Sequence, residues 1–247
     1  MYPKLLSLYF IFLTCTISTL SAQSKEDFGY LPQFAIINDP DGFTNIRDKN
    51  KNIIGKIYKD EIFTFSFLIE DTICGYLPIE WKLNSKGEIS ETGYIHNSRI
   101  EYLYKLPLLK RKIIHNSAVF EKDHIKITIH IGTFNIDDKR ISKSEYGYPL
   151  KIDGYDAWGT ACFSREDPDR NTEIKSIEYT IDGVTQHFEK KDISGYLFPS
   201  LENTFVSVGN DNTLYIAMNN GDGAGSYSLL WVLKDGTITQ KIVYRGF

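Results

Sequence analysis

Asp39-Pro40-Asp41-Gly42-Phe43-Thr44-Asn45-Ile46-Arg47 opens the stretch whose reading decides the fold. Three further pieces complete it: Ile53-Ile54-Gly55-Lys56-Ile57, Trp81-Lys82-Leu83, and Gly93-Tyr94-Ile95-His96-Asn97-Ser98-Arg99-Ile100. Asp41-Gly42 is a turn signal, because glycine accepts positive φ without strain. Phe43, Asn45 and Arg47 then alternate with Thr44 and Ile46, which is strand spacing. Gly55 interrupts a short apolar strand and marks a bulge or a tight bend. Residues 61–69 carry Ile62, Phe63, Phe65, Phe67 and Leu68, an aromatic and β-branched strand. Short strands follow at Trp81 and at Gly93, the latter after the polar turn Asn84-Ser85-Lys86-Gly87. Five short strands separated by turns predict a small closed or nearly closed β-barrel.

The order of these pieces resembles the bacterial SH3 domain family. Asn45-Ile46-Arg47, Ile54-Gly55-Lys56, Trp81-Lys82-Leu83 and Gly93-Tyr94-Ile95-His96 stand where that family has its characteristic strands. The resemblance covers residues 36–102. It implies a binding module for a cell-wall peptide or an envelope protein. Two departures stand out. The loop after Arg47 is short and lacks the family's proline, and residues 71–80 form a long segment holding Cys74 and Pro78. Such loops flank the family's ligand groove.

Outward from this stretch, residues 1–22 read as a secretion signal. Lys4 gives a positive start, an apolar run follows, and Leu20-Ser21-Ala22 suits a peptidase. Thr14, Thr16, Ser18 and Thr19 break the run short of the roughly 20 apolar residues a span needs. A secreted or periplasmic chain with no stable membrane span is therefore expected. The chain has 247 residues, enough for a sizeable core, and a formal net charge of −4. That balance argues against nucleic acid, whose phosphates need a basic partner. Outside the signal the cysteines are Cys74 and Cys162, read either as a disulfide or as two separate thiols.

Residues 101–112 carry boundary features. Pro107 sits among leucines and Lys110-Arg111-Lys112 follows. The leucines suggest a connection that packs against something. Residues 113–247 read as a second antiparallel β domain. Ile125, Ile127, Ile129 and Ile131 alternate with polar residues. Asp182-Gly183 and Asp235-Gly236 are hairpin turns, and residues 190–196 hint at a helical turn. The successive hairpins predict a meander packed on one face. The fold class expected for the whole chain is all-β: an SH3-like small barrel followed by an antiparallel meander or sandwich.

Chemical motifs are sparse. The sequence contains no Gly-x-Ser-x-Gly, His-Glu-x-x-His or Gly-x-x-x-x-Gly-Lys. His124 and His130 share a strand face but lie roughly 20 Å apart along it. The run from Asp167 to Glu178 echoes a calcium loop but has Thr172 where that loop turns on glycine. No cofactor is expected. The ligand-binding candidates are Trp81 and Tyr94, as aromatic faces, and Asn97, as a hydrogen-bonding neighbour of Tyr94; for Trp81 a packed core position is the equal alternative. The function expected is a secreted, non-catalytic binding protein. The alternatives are a secreted hydrolase with its site in residues 113–247, since scattered residues can form a catalytic set, or an inhibitor or immunity-type protein.

Overall fold

The computed structural model describes residues 34–66, 73–88, 91–145, 147, 149–164, 167, 171–221 and 223–245. The expected secretion signal lies outside these residues. Among them, nineteen strands pair into five sheets with one short helix, so the expected all-β class holds. No helix among the described residues is long and apolar enough to cross a membrane.

The first unit contains β1 (Ala35–Ile37), β2 (Phe43–Arg47), β3 (Ile53–Tyr58), β4 (Thr64–Phe65), β5 (Tyr76–Trp81), β6 (Glu91–His96) and β7 (Ile100–Tyr102). Five of them form one sheet in the order β3-β2-β6-β5-β4, while β1 pairs with β7. A single-turn 3-10 helix, Asn97–Arg99, connects β6 to β7. Ala35, Ile37, Ile46, Ile57, Phe63, Ile79, Trp81 and Ile95 make the core between these layers. Gly93 stands at its tightest point. A Cβ there would lie 2.6 Å from Ile46 Cγ2 and 3.1 Å from Trp81 Cζ3, so only glycine fits without repacking. One expectation is corrected. The described strands do not close into a full barrel: the five-stranded sheet and the β1–β7 pair remain separate ladders. An isolated bridge between Ala35 and Phe63 is the backbone link at that seam.

The second unit follows as β8 (Lys110–Ile114), β9 (Ser117–Lys122), β10 (Ile125–Thr133), β11 (Ile141–Lys143), β12 (Pro149–Ile152), β13 (Tyr155–Asp156), β14 (Thr172–Ile181), β15 (Val184–His187), α1 (Lys190–Ile193), β16 (Thr204–Val208), β17 (Leu214–Asn220), β18 (Tyr227–Lys234) and β19 (Thr237–Tyr244). Its outer sheet has the order β15-β14-β10-β9-β8 and its inner sheet β16-β17-β18-β19. Ile125, Ile127 and Ile129 point inward from β10, as their alternation predicts. They meet Leu214, Ile216, Met218, Leu229, Trp231 and Leu233 of the inner sheet, giving a β-sandwich core.

The inner sheet does not face water on its other side, contrary to the expectation of a meander packed on one face. Phe205, Tyr215, Ala217, Leu230, Val232, Ile242 and Tyr244 point away from the sandwich core. They pack against Phe34, Ile62, Leu83, Leu103 and Leu106 of the first unit. The reason lies in the side-chain period of two. Leu214-Tyr215-Ile216-Ala217-Met218 and Leu229-Leu230-Trp231-Val232-Leu233 send alternate residues into two different cores, so every residue is apolar and buried. Sheets covered on both faces carry such continuous apolar runs.

The connecting segment is part of this join. Leu103 and Leu106 lie in the shared core and Leu109 in the sandwich core. The Leu109 N–H donates to the Val206 carbonyl at 2.9 Å, and the Val208 N–H to the Pro107 carbonyl at 3.0 Å. A second join is made by the turn before β6. The Val243 N–H donates to the Asn84 carbonyl at 3.0 Å, and Gly87, at φ +71°, sits so close to Trp158 that a Cβ would overlap its ring.

Candidate functional site

The described cleft of the first unit with the most varied chemistry lies where the turn after β1, strand β2, the start of β5 and the Asn97–Arg99 turn meet. Asp39, Asp41, Phe43, Asn45, Arg47, Tyr76, His96, Ser98 and Arg99 line it, and its volume is about 430 Å³. Local chain chemistry positions each group. Asp39 Oδ1 accepts the Asp41 N–H at 3.2 Å, while the Gly42 N–H donates to the Asp39 carbonyl at 3.0 Å. This turn leaves the Asp39 side chain 5 % exposed, with Arg99 Nη1 3.3 Å from Oδ1. Arg99 is anchored at one end and open at the other, its side chain 44 % exposed.

Arg47 is held from the opposite wall, Nη1 donating to the Lys51 carbonyl at 2.7 Å. That carbonyl belongs to a braced loop. Asp48 Oδ1 accepts the N–H groups of Asn50 and Asn52 at 2.9 and 2.8 Å, and Oδ2 accepts Asn52 Nδ2 at 3.0 Å. The Asn52 side-chain hydrogen bond holds the Asp48 carboxyl below the usual carboxylate range.

His96 sits directly opposite Tyr76 in the β5–β6 ladder, their rings edge to face at 5.0 Å. The Ser98 N–H donates to His96 Nδ1 at 3.3 Å, and Ser98 Oγ lies 2.8 Å from the same nitrogen. Nδ1 is thereby the acceptor, which assigns the proton of the neutral ring to Nε2. Lys56 Nζ lies 4.0 Å from the centre of the Phe43 ring. The cleft thus offers carboxylates, guanidinium groups, an imidazole and aromatic rings in one lining. Chemically it can bind a small polar ligand carrying both signs of charge.

The three residues singled out in the sequence are placed differently. Trp81 is 2 % exposed and belongs to the first core, its ring packed near Gly55 and Gly93. Tyr94 is 5 % exposed, opposite Arg47 and Pro78 in the ladder. Neither ring presents a free face for stacking: Trp81 enters the first core, and Tyr94, which projects from the opposite face of the sheet, is buried there as well. Asn97 is exposed between His96 and Ser98 but does not line the cleft. Its N–H donates to the Gly75 carbonyl at 2.9 Å, tying the turn to β5. The structure therefore does not bring the three together as a groove. His96, Asp39, Arg47, Tyr76 and Arg99 line the cleft, and none of them was among the ligand-binding candidates read from the sequence. Their signal was the turn grammar on either side: Asp39-Pro40-Asp41-Gly42 and the His-x-Ser pair.

A cleft of about 660 Å³ in the second unit is lined by Phe134, Asp137, Lys139, Lys143, Phe163 and Asn171, among others, with no histidine in its lining. Lys139 Nζ is engaged there by Glu173 at 3.1 Å and Asp153 at 3.9 Å. The Arg140 N–H hydrogen bond, then Lys139 and Lys190, hold the Asp153 carboxyl below its usual range against the opposing effect of burial. Three of the second unit's histidines pair on open surface: His124 with Asp182 at 3.7 Å, His187 with Glu178 at 3.6 Å, and His130 Nδ1 with Ser117 Oγ at 2.6 Å. The Ser117–His130 pair stands on the outward face of the outer sheet.

The calcium-loop echo is corrected where it is described. Thr172 to Glu178 belong to the regular strand β14, and Pro168, Asp169 and Arg170 lie outside the described residues. Glu173 and Glu178 are five residues apart along that strand, roughly 16 Å, too far to share an ion. Among the described residues no group of His, Cys, Asp and Glu could hold a metal. Cys74 and Cys162 are not joined: Cys74 is exposed, and Cys162 is half-buried against Gly225.

No family model, curated protein or solved structure matches this chain, and the functional reading rests on the geometry above.

Proposed function

We propose that this chain is a secreted, non-catalytic binding protein whose first unit takes a short peptide at the Asp39–Arg47–Tyr76–Arg99 cleft, either a cell-wall peptide or an exposed segment of an envelope protein. The observation that carries the reading is the cleft's charge pattern. Arg99 is fixed at its base by nearly buried Asp39, Arg47 by a main-chain carbonyl, and both stand beside Tyr76 and His96. Cell-wall peptides carry free carboxylates and amines on short flexible chains, and anchored guanidinium groups recognise carboxylates with little ordering cost. The resemblance of residues 36–102 to bacterial SH3 domains supports the same class of ligand.

Calorimetric titration of the full chain with purified cell-wall peptides tests this. Arg47→Ala and Arg99→Gln should each weaken binding at least about tenfold, the loss of one charge-assisted hydrogen bond. The melting temperature of Arg47→Ala should fall by no more than about 4 °C, the share of its one hydrogen bond to the Lys51 carbonyl. Equal binding by the parent and both variants would overturn the cleft assignment. Release of new peptide or sugar fragments from cell wall by the purified chain would overturn the non-catalytic reading and turn attention to Ser117 and His130.

A further inference from the structure

A pocket of about 310 Å³ lies at the seam between the two units, at the small end of the range for ligand sites. The turn after β1 brings Asp39 to it, the turn after β3 brings Lys59 and Asp60, β7 brings Glu101, and the β16–β17 loop brings Gly209 and Asp211. Main-chain bonds fix these pieces. The Lys59 N–H donates to the Gly42 carbonyl at 3.0 Å, and the Gly209 N–H to the Thr213 carbonyl at 2.8 Å.

Tyr215 of β17 also lines the pocket and is 5 % exposed. Its ring lies beside Gly209, where a Cβ would come within 3.1 Å of Tyr215 Cε2, and its phenol senses the charges of Asp211 and Asp60. The polar end of this side chain is thus turned into the pocket. Its hydroxyl has no hydrogen-bond partner among the described residues. Ser207, directly opposite in the ladder, has a buried hydroxyl that is itself unpartnered, so the phenol does not turn back onto the sheet. Buried hydroxyls are as a rule hydrogen-bonded, and a phenol has both a proton to give and a lone pair to accept with.

The charged residues of the lining are Asp39, Asp60, Glu101, Asp211 and Lys59. Arg99 takes up Asp39, and Lys234 Nζ stands 3.4 Å from Asp211 Oδ2. Asp60 has no hydrogen-bond or ion-pair partner among the described residues, and Glu101 engages only Oε2, with Asn38 Nδ2 at 3.2 Å. Asp60 and Glu101 against Lys59 leave one negative charge in excess, which suits a single ammonium group. A metal ion does not fit, because no group of His, Cys, Asp and Glu among the described residues could hold one. We propose that this pocket binds a small organic amine with a hydroxyl or carbonyl oxygen close to its ammonium group. The ammonium faces Asp60, Glu101 and Asp211, and the oxygen accepts the Tyr215 hydroxyl. The pocket shares only Asp39 with the cleft, and the inference does not rest on the peptide reading.

The test titrates the full chain with glucosamine, whose ammonium group stands beside hydroxyls, and follows backbone amide shifts by NMR. The shifts should gather at residues 59–60, 209–211 and 215, and binding should weaken with salt. Glucose, which lacks the charge, should bind at least about tenfold more weakly, and so should glucosamine to Asp60→Asn. Tyr215→Phe should weaken binding about fivefold, the share of one hydrogen bond. Its melting temperature in the absence of amine should be unchanged or raised, because the hydroxyl removed has no partner in the free protein. Arg47→Ala, in the cleft, should bind glucosamine like the parent, so failure of the pocket and failure of the cleft are read separately. Absence of binding, glucose binding as tightly, or equal binding by the parent, Asp60→Asn and Tyr215→Phe overturns the inference. So does a loss of amine binding in Arg47→Ala, which would move the amine to the cleft.

Discussion

At the scale of single residues, Trp81 separates two roles that sequence left equally open. Its side chain is 2 % exposed and meets Gly55 and Gly93 across the core. Trp81→Ala should therefore cost about 3–5 kcal/mol of stability through the cavity it leaves. The measurement is a denaturant melt. A loss below about 1 kcal/mol would show that Trp81 is a surface aromatic, since exposed positions seldom cost more. The site itself was legible only in part. The Asp41-Gly42 turn and the strand carrying Arg47 were read correctly, because glycine and period-two alternation act locally. The choice of Trp81 and Tyr94 over Tyr76 and Arg99 was not decidable from sequence. All four lie on or beside strands, and which face is covered depends on what the neighbouring layer supplies. A salt bridge such as Asp39–Arg99 joins residues 60 positions apart, and no local pattern announces it.

At the scale of elements, the hairpins were legible and the layers were not. The Asp182-Gly183 and Asp235-Gly236 turns join β14 to β15 and β18 to β19 as their chemistry predicts. The alternation of isoleucines in β10 correctly gives one buried and one exposed face. The inner sheet was misread as one-sided, although the signal was present: Leu229-Leu230-Trp231-Val232-Leu233 shows no alternation at all. An uninterrupted apolar run fits a strand covered twice as well as a generic hydrophobic strand, and its partner lies more than a hundred residues earlier in the chain. Leu229 and Leu230 test the two-sided assignment directly, because they are adjacent, fully buried, and enter different cores. Leu229→Ala and Leu230→Ala should each cost about 2–5 kcal/mol. A sheet exposed on one side would lose little from one of the two, and a cost within about 0.5 kcal/mol for Leu230→Ala would mean that the first unit does not cover it.

At the scale of the whole molecule, the two cores share one sheet and carry buried phenols in both. Burial, and then the charges of Asp211 and Asp60, push the Tyr215 phenol up to about 12 from an ordinary 10.0. Burial and then Glu80 raise Tyr244, and burial raises Tyr196 and Tyr227 in the sandwich core. A phenol that keeps its proton longer when folded stabilises the fold fully below the unfolded value. That contribution falls as pH rises from about 10 to about 12. Alkaline titration should therefore show a late fraction of the tyrosinate absorbance, that of the buried phenols, rising together with loss of tertiary circular dichroism. Tyrosinate appearing near pH 10 for all tyrosines while the tertiary signal persists would contradict the shared burial. The doubly covered sheet also sets an order of events during synthesis. β16 to β19 come after both of the layers that they join. Until they emerge, Leu103 and Leu106 lack the inner-sheet side of their core and the isoleucines of β10 have half of theirs. A nascent chain stopped short of β16 would hold the first core alone and lack the inner-sheet half of the other two.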